Sequence, residues 1–339
     1  MARVFSGIQP TGDMHLGNYL GAVRRWVDSQ PPAGSAEARD HHAIFCVVDL
    51  HAMTMAWEPA ELTAATRRLA TLLMAAGLDE QRSLLFVQSH VRAHAELTWL
   101  LNCVATFGEL RRMTQFKDKV AKGGDESASV GLFDYPVLMV SDIVLYDTEE
   151  VPVGDDQRQH VELARDVAIR FNHRFGDTFV VPKATFPSVG ARVMDLQRPE
   201  RKMSKSEDSP QGTVLVLDPP KTIEKKFKSA VTDSGSEVVH DREKKPGVSN
   251  LIEIYSAVVG KSIAEVEQEF AGSQYGGFKT AVAEAVIECL RPVRERYDEL
   301  ISDPSEVDHR LAAGATTADG MAEVVLQRAM RAAGLLPRP

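Results

Sequence analysis

The sequence predicts an α/β protein: a mostly parallel sheet covered by helices, followed by a second, helical domain. Three observations predict it. Short β-rich runs alternate with helical patterns through the first half of the chain. A Gly-Asp-Asp-Gln stretch at 154–157 sits where a strand hands over to a helix, the end of an open sheet where ligands bind. After about residue 210 the pattern turns helical almost throughout. The expected division is therefore 1–210 and 211–339, with the C-terminal helix able to pack back on the first domain.

The expected strands are Arg3 to Ile8, Ala43 to Asp49, Ser83 to Gln88 and Val151 to Val153, each apolar and bounded by turn residues. Between them Leu62, Ala65, Leu69, Leu72, Leu73 and Ala76 share a face at helical spacing, with Gly77 as C-terminal cap. Residues 94 to 107 read as a second helix. Tyr135 to Tyr146 reads as a third, opened by Pro136 where a missing N–H costs little. Asp156 to Phe171 carries Val161, Leu163, Val167, Ala168 and Phe171 at helical period. Beyond a short run at Thr213 to Leu217, the second domain is helical, broken at Pro219-Pro220, Pro246-Gly247, Gly276-Gly277 and Asp303-Pro304. Ser29 to His42 and Gly123 to Ser129 read as exposed loops.

A chain of 339 residues with 44% hydrophobic content can bury a real core. It has no apolar stretch approaching the ~20 residues needed to cross a bilayer, and residues 1 to 10 lack a signal-peptide layout. A cytoplasmic location is expected. Cys46, Cys103 and Cys289 are too far apart for a CxxC pair and read as reduced core residues, with no metal site. The net charge of −9 excludes a generally basic coat for nucleic acid. Any RNA contact is then local, with Lys117, Lys119 and Lys122, the run Lys221 to Lys228, and Arg242 to Lys245 as candidates.

Two polar segments carry the chemistry. Pro10-Thr11-Gly12-Asp13-Met14-His15-Leu16-Gly17-Asn18 joins the first strand to a helical pattern. Gly7, Gly12 and Gly17 are spaced by five, so this is not the dinucleotide fingerprint, and no GxxxxGK[ST] loop occurs. His15 and Asn18 stand at a helix N-terminus, which favours anions, and Gly17 allows close approach. Lys202-Met203-Ser204-Lys205-Ser206 places two ammonium groups and two hydroxyls within five residues. Together the segments suit a triphosphate whose charge is stabilised without covalent catalysis.

These segments resemble the two signature motifs of class I aminoacyl-tRNA synthetases. Phe5-Ser6-Gly7-Ile8-Gln9-Pro10, Met113 to Lys117, Asp142-Ile143-Val144-Leu145-Tyr146, Val151 to Gln157, Gly190 to Met194 and Lys225 to Asp233 narrow the likeness to the bacterial tryptophanyl-tRNA synthetase family, from residue 3 to about residue 300. The resemblance implies a Rossmann-type catalytic domain, a helical domain that reads the tRNA anticodon, and a homodimer. It implies ATP, L-tryptophan and tRNA(Trp) as partners, with Mg2+ bound through the ATP phosphates. His15, Lys117, Lys202 and Lys205 would be catalytic. ATP would meet Gln9, Pro10, Thr11, Gly17, Asn18, Gly154, Asp155, Asp156, Val193 and Lys202, Met203, Ser204, Lys205 and Ser206. Asp142 would bind the indole, Phe5, Met139, Val151 and Val153 would line its pocket, and Tyr135, Gln157 and Gln9 would hold the amino and carboxylate groups.

The physics of the residues is compatible with that assignment. Asp142 lies among Leu138, Met139, Leu145 and Tyr146 on an expected helix, and a carboxylate there is costly unless paired. Indole N–H is a donor only, a carboxylate an acceptor only. Left unpaired, such a carboxylate would reject phenylalanine. A structural aspartate paired with arginine or backbone N–H is the other reading. Tyrosine also donates, so tyrosyl-tRNA synthetase, and a catalytically silent paralogue binding tRNA or tryptophan, stay open as alternatives. His51 and His160 are not expected to be catalytic.

Overall fold

The structure, a computed structural model, describes residues 2–114, 116–117, 128–154, 157–186, 192–204 and 210–336. Five parallel strands, β1 (Val4–Ile8), β2 (Ala43–Val47), β3 (Leu84–Val87), β4 (Glu150–Pro152) and β5 (Lys183–Thr185), lie in the order β3-β2-β1-β4-β5. The chain leaves β1 toward β2 on one side and later returns to β4 on the other. The crevice between the carboxyl ends of β1 and β4 is therefore the switch point of the sheet, where open α/β folds bind ligands.

Every residue of β2 and β3 is buried, as a parallel sheet covered on both faces requires. Alternate residues feed two cores. Phe45, Val47, Leu85 and Val87 join Leu69, Leu72 and Leu73 of the Pro59–Ala75 helix on one face. Ile44, Cys46, Leu84 and Phe86 join Val137, Val140 and Val144 on the other. The first core continues without a break through Val214, Phe227, Leu251, Phe278 and Leu290 of the helical part. No helix among the described residues is long and apolar enough to cross a membrane.

Several expected elements are corrected. The helix expected at 94 to 107 stops as Ala93–Asn102, and Thr106 then caps a separate turn, Phe107–Arg111, through a capping box with Glu109. The next helix runs Val130–Val144, capped by Ser129, so Pro136 lies inside it and not at its opening. The helix expected from Asp156 is Arg158–Phe175. Thr213 to Leu217 forms no strand, only an antiparallel bridge between Leu215 and His15. Gly276-Gly277 breaks nothing, since both lie in the first turn of Tyr275–Ser302.

The 29–42 loop is less open than expected. Buried Gln30 donates to Gly77 O at 2.9 Å and accepts from Asp79 N and Ser83 Oγ, and Ala36–Arg39 is a short helix capped by Ser35. Residues 123–127 of the other expected loop lie outside the described residues. Cys46 is buried, but Cys103 is exposed, since it ends a helix whose Trp99 face is open.

The last helix, Pro304–Ala332, begins where Asp303 caps it and lies along β3, the edge of the sheet. Gly314 is what permits this: a Cβ there would stand 2.0 Å from Leu85 O. Farther on, Ala318, Ala322, Val325, Leu326 and Ala329 enter the second core. Arg67 binds Asp308, Arg310 binds Glu80, and Arg328 binds Asp147.

Candidate active site

β1 ends at Ile8, and the chain turns through Gly12 at φ 60° into a helix that opens at Leu16. His15 is its N-cap. Its Nδ1 accepts from Asn18 N at 3.2 Å, while Asn18 Oδ1 accepts from His15 N at 3.4 Å. An imidazole that accepts at Nδ1 carries its proton on Nε2 when neutral, so the ring keeps a donor at its far end. Gly17 serves this ring directly: a Cβ there would come within 3.0 Å of His15 Nδ1 and 3.5 Å of Val193 Cβ.

The lysine segment is held beside it by backbone pairing. Met203 N donates to Val193 O at 3.1 Å, Asp195 N donates to Arg201 O at 2.9 Å, and Met194 bridges Lys202. Residues 214–216 then tie this unit to the first segment, with Leu16 N on Val214 O at 2.8 Å and Val216 N on Met14 O at 2.9 Å. Thr213 Oγ1 donates to Ser204 O at 2.8 Å. A cleft of about 420 Å³ results, lined by Gln9, Thr11, His15, Asn18, Lys202 and Ser204 among others. Lys205, Ser206, Asp155 and Asp156 lie outside the described residues. Gly154 is exposed at the end of β4, its carbonyl accepting from Gln157 N at 3.0 Å. Pro10 and Val193 are buried, and Lys117 is exposed and absent from the lining of the cleft.

Asp142 is 2% exposed and already has partners within the chain. Its Oδ1 accepts from Gln88 Nε2 at 2.7 Å and His94 Nδ1 at 2.6 Å, and its Oδ2 from His51 Nε2 at 2.7 Å. Gln88 is itself fixed by Leu50 N, and Tyr146 OH meets His94 Nε2 at 2.7 Å. Burial pushes the Asp142 carboxyl up, but the charge and hydrogen bonds of His51 and His94 outweigh it and hold the group well below the usual carboxylate range. The partners are imidazoles and an amide, neither the arginine nor the backbone N–H considered from sequence. The expectation that an unpaired carboxylate rejects phenylalanine is corrected too. A carboxylate accepts about four hydrogen bonds, three are made among the described residues, and one acceptor position unmet by them is a weak penalty.

Around this network Phe5 stacks on Tyr146, their centroids 5.7 Å apart, and Val151, Met139 and Val153 pack in the same apolar cluster. Tyr135 OH meets His160 Nε2 at 3.0 Å, and its ring stands edge-on to His51. Burial pushes the Tyr135 hydroxyl up to about 12, so it is a neutral donor at physiological pH. Gln157 immediately precedes the Arg158–Phe175 helix and makes no side-chain cap bond to it. Asp142, Tyr135, Phe5, Met139, Val151 and Val153 thus lie around one buried network, whereas Gln9 lines the cleft of His15 and Lys202.

A family profile described as tRNA synthetases class I (W and Y) matches residues 1–291. The tryptophan–tRNA ligase 2 of Streptomyces avermitilis is 53% identical over 336 residues, 99% of this chain and 97% of that one. The chain belongs to the class I tRNA synthetases. Among solved structures, tryptophanyl-tRNA synthetase from Mycoplasma pneumoniae matches with a TM-score of 0.87 at 32% identity, covering 99% and 98% of the two chains. The Campylobacter jejuni enzyme, complexed with ADP and tryptophan, matches with 0.83 at 37%, covering 98% and 100%.

Sequence reading placed His51 at a ligand-facing strand end without giving it a role, and did not single out Gln88 and His94, which with His51 hold Asp142. Gln88 and His94 follow β3 past its carboxyl end, and that position was the available signal. Lys226 is buried, its Nζ donating to Thr213 O and Asp218 Oδ2, both at 2.6 Å. Arg242 is held by Glu253, Lys228 by Glu224, and Lys245 by Tyr275 and Asp233. Lys119 and Lys122 lie outside the described residues. Since Lys226 anchors the turn that joins both signature segments, Lys226→Ala should cost about 3–5 kcal/mol by stranding buried Asp218. Exposed Lys225→Ala should stay within about 0.5 kcal/mol. Denaturant unfolding of the two variants checks the contrast.

Proposed function

We infer that this synthetase joins L-tryptophan to tRNA(Trp) in two steps, first forming tryptophanyl-adenylate and pyrophosphate from ATP. The observation that carries the reading is the shared cleft of His15, Asn18, Lys202 and Ser204, two segments far apart in sequence that meet over one space fit for a triphosphate. The tryptophan–tRNA ligases resembling this chain end to end favour tryptophan over tyrosine.

The tryptophan carboxylate is ionised at neutral pH and needs no general base. Its oxygen attacks the α-phosphorus, the bond from that phosphorus to the α,β-bridging oxygen breaks, and pyrophosphate carries the electron pair away. The site's work is to position the reactants and neutralise charge. His15 Nε2–H, Lys202 and Lys205 supply positive charge and donors, Lys117 adds positive charge from outside the cleft, and Gln9, Thr11, Asn18 and the 154–156 turn hold the nucleotide. No carboxylate lines the described part of the cleft, so a magnesium ion would be held by the ATP phosphates and would supply charge neutralisation there. Asp142 keeps one Oδ2 acceptor position for the indole N–H, among the bonds of the described residues, with Phe5, Met139, Val151 and Val153 around the ring. Tyr135, Gln157 and Gln9 hold the α-amino and carboxylate groups.

The acyl group then passes to the tRNA 3′ end. Residues 211–339 form the unit that reads the anticodon, although the last helix docks on β3. A cytoplasmic homodimer completes the proposal: Trp99, Phe107 and Val130 are largely exposed on adjoining helices, an apolar surface suited to a second copy. Amino-acid-dependent pyrophosphate exchange with all twenty amino acids tests the reading. Tryptophan alone should support exchange; tyrosine-dependent exchange would support the tyrosyl alternative, and binding without exchange the silent paralogue.

A further inference from the structure

We propose that Asn250, a buried side chain of the helical part, is a positioning residue for the lysine segment, acting through the backbone of Met194. Asn250 is 2% exposed and sits on the Pro246–Val259 helix. Its Oδ1 accepts from Met194 N at 2.9 Å and its Nδ2 donates to Met194 O at 2.9 Å. Only one amide orientation satisfies both bonds.

The reason for two bonds to one residue lies in the pairing pattern. Val193 and Asp195 turn toward the lysine segment, bonding Met203 and Arg201. Met194, between them, bridges Lys202 as a non-hydrogen-bonded pair, so its own N–H and C=O point outward. An unpaired edge of that kind is free to twist or slip. The Asn250 amide occupies it as the next strand would, fixing the height and tilt of the ribbon that carries Lys202 into the cleft.

The helix that carries Asn250 is itself fixed. Leu251, Ile252 and Ile254 are in the core, and Gly247 lets it press on residues 231–232, where a Cβ would stand 2.1 Å from Val231 O. A rigid helix outside the sheet thus sets the register of a loop over the nucleotide. Misplacing a charged group by about 1 Å can cost about 100-fold in rate, so a backbone clamp of this kind bears on catalysis without touching substrate.

The inference rests on the adenylate-forming reading, which the parental protein tests first by tryptophan-dependent pyrophosphate exchange. A silent parent would remove that reading, whereas only the variants speak to Asn250. Asn250→Ala should raise the KM for ATP and lower kcat, together roughly 10- to 100-fold, while the KM for tryptophan stays within about twofold. Asn250→Asp adds a signature that a purely structural role would lack. Its ionised carboxylate would face the Met194 carbonyl, whereas the protonated form can donate to it as the amide does. Its activity relative to the parent should therefore rise as pH is lowered from 8 to about 5, since burial raises a carboxyl pKa. Equal loss for ATP and tryptophan in Asn250→Ala, parental kinetics with only a lower melting temperature, or an Asn250→Asp profile parallel to the parent's would each overturn the proposal. So would an Asn250→Asp protein that stays unfolded across that pH range.

Discussion

Asp142→Ala should weaken tryptophan use roughly 10- to 100-fold, the worth of a hydrogen bond to a charged group, with little change in the KM for ATP. It should also destabilise the fold, because His51, His94 and Gln88 all donate to this one carboxylate. Each buried donor left without an acceptor costs about 1–3 kcal/mol. Stability and binding are therefore confounded in the alanine variant, and Asp142→Asn separates them. Its carbonyl oxygen can keep the Gln88 and His94 bonds, and His51 can accept from its amide in the other tautomer. The second amide hydrogen would then face the indole N–H, donor against donor. Asparagine should recover much of the stability and none of the tryptophan affinity. An Asp142→Asn enzyme with the parental KM for tryptophan would remove Asp142 as indole partner. Because the folded carboxyl is held below its ordinary value, its stabilising contribution is complete above about pH 4. It fades as pH falls through the folded-state value, a limb the asparagine variant should lack.

His15→Ala should slow tryptophan activation by roughly 10²–10³, the loss expected when one preorganised donor is removed from developing charge. Loss of the cap bond to Asn18 should cost about 0.5–2 kcal/mol as well. Asparagine is a good N-cap but too short to present a donor where His15 Nε2 lies. His15→Asn should thus restore melting behaviour while activation stays slow. Pyrophosphate exchange beside calorimetry on both variants reads the two effects apart, and a His15→Asn enzyme activating at the parental rate would confine His15 to the cap.

Much of this was legible in the chain. The strands β1, β2 and β3 are apolar runs bounded by turns, and β4 was visible in Val151 to Val153. β5 was not: Lys-Ala-Thr is short, polar and only partly buried, so neither length nor period marks it. The capping box Thr106 to Glu109 was present as a signal and outvoted by the apolar residues on either side. In the site, local motifs announced His15 and Lys202 because spacing along the chain carries their chemistry. The partners of Asp142 come from 91, 54 and 48 residues away. No local pattern encodes such a meeting. Lys226 shows the opposite failure, a lysine in a basic run whose ammonium is used internally.

The placement of Pro304–Ala332 along β3 bears on synthesis of the protein by the ribosome. The sheet's outer strand is made about 220 residues before the helix that shields it, an interval of roughly 10–40 s at ordinary elongation rates. During that time a nascent chain presents a bare hydrogen-bonding margin to its neighbours on a polysome. Ribosome-bound intermediates should therefore recruit holdase chaperones until Pro304–Ala332 clears the exit tunnel.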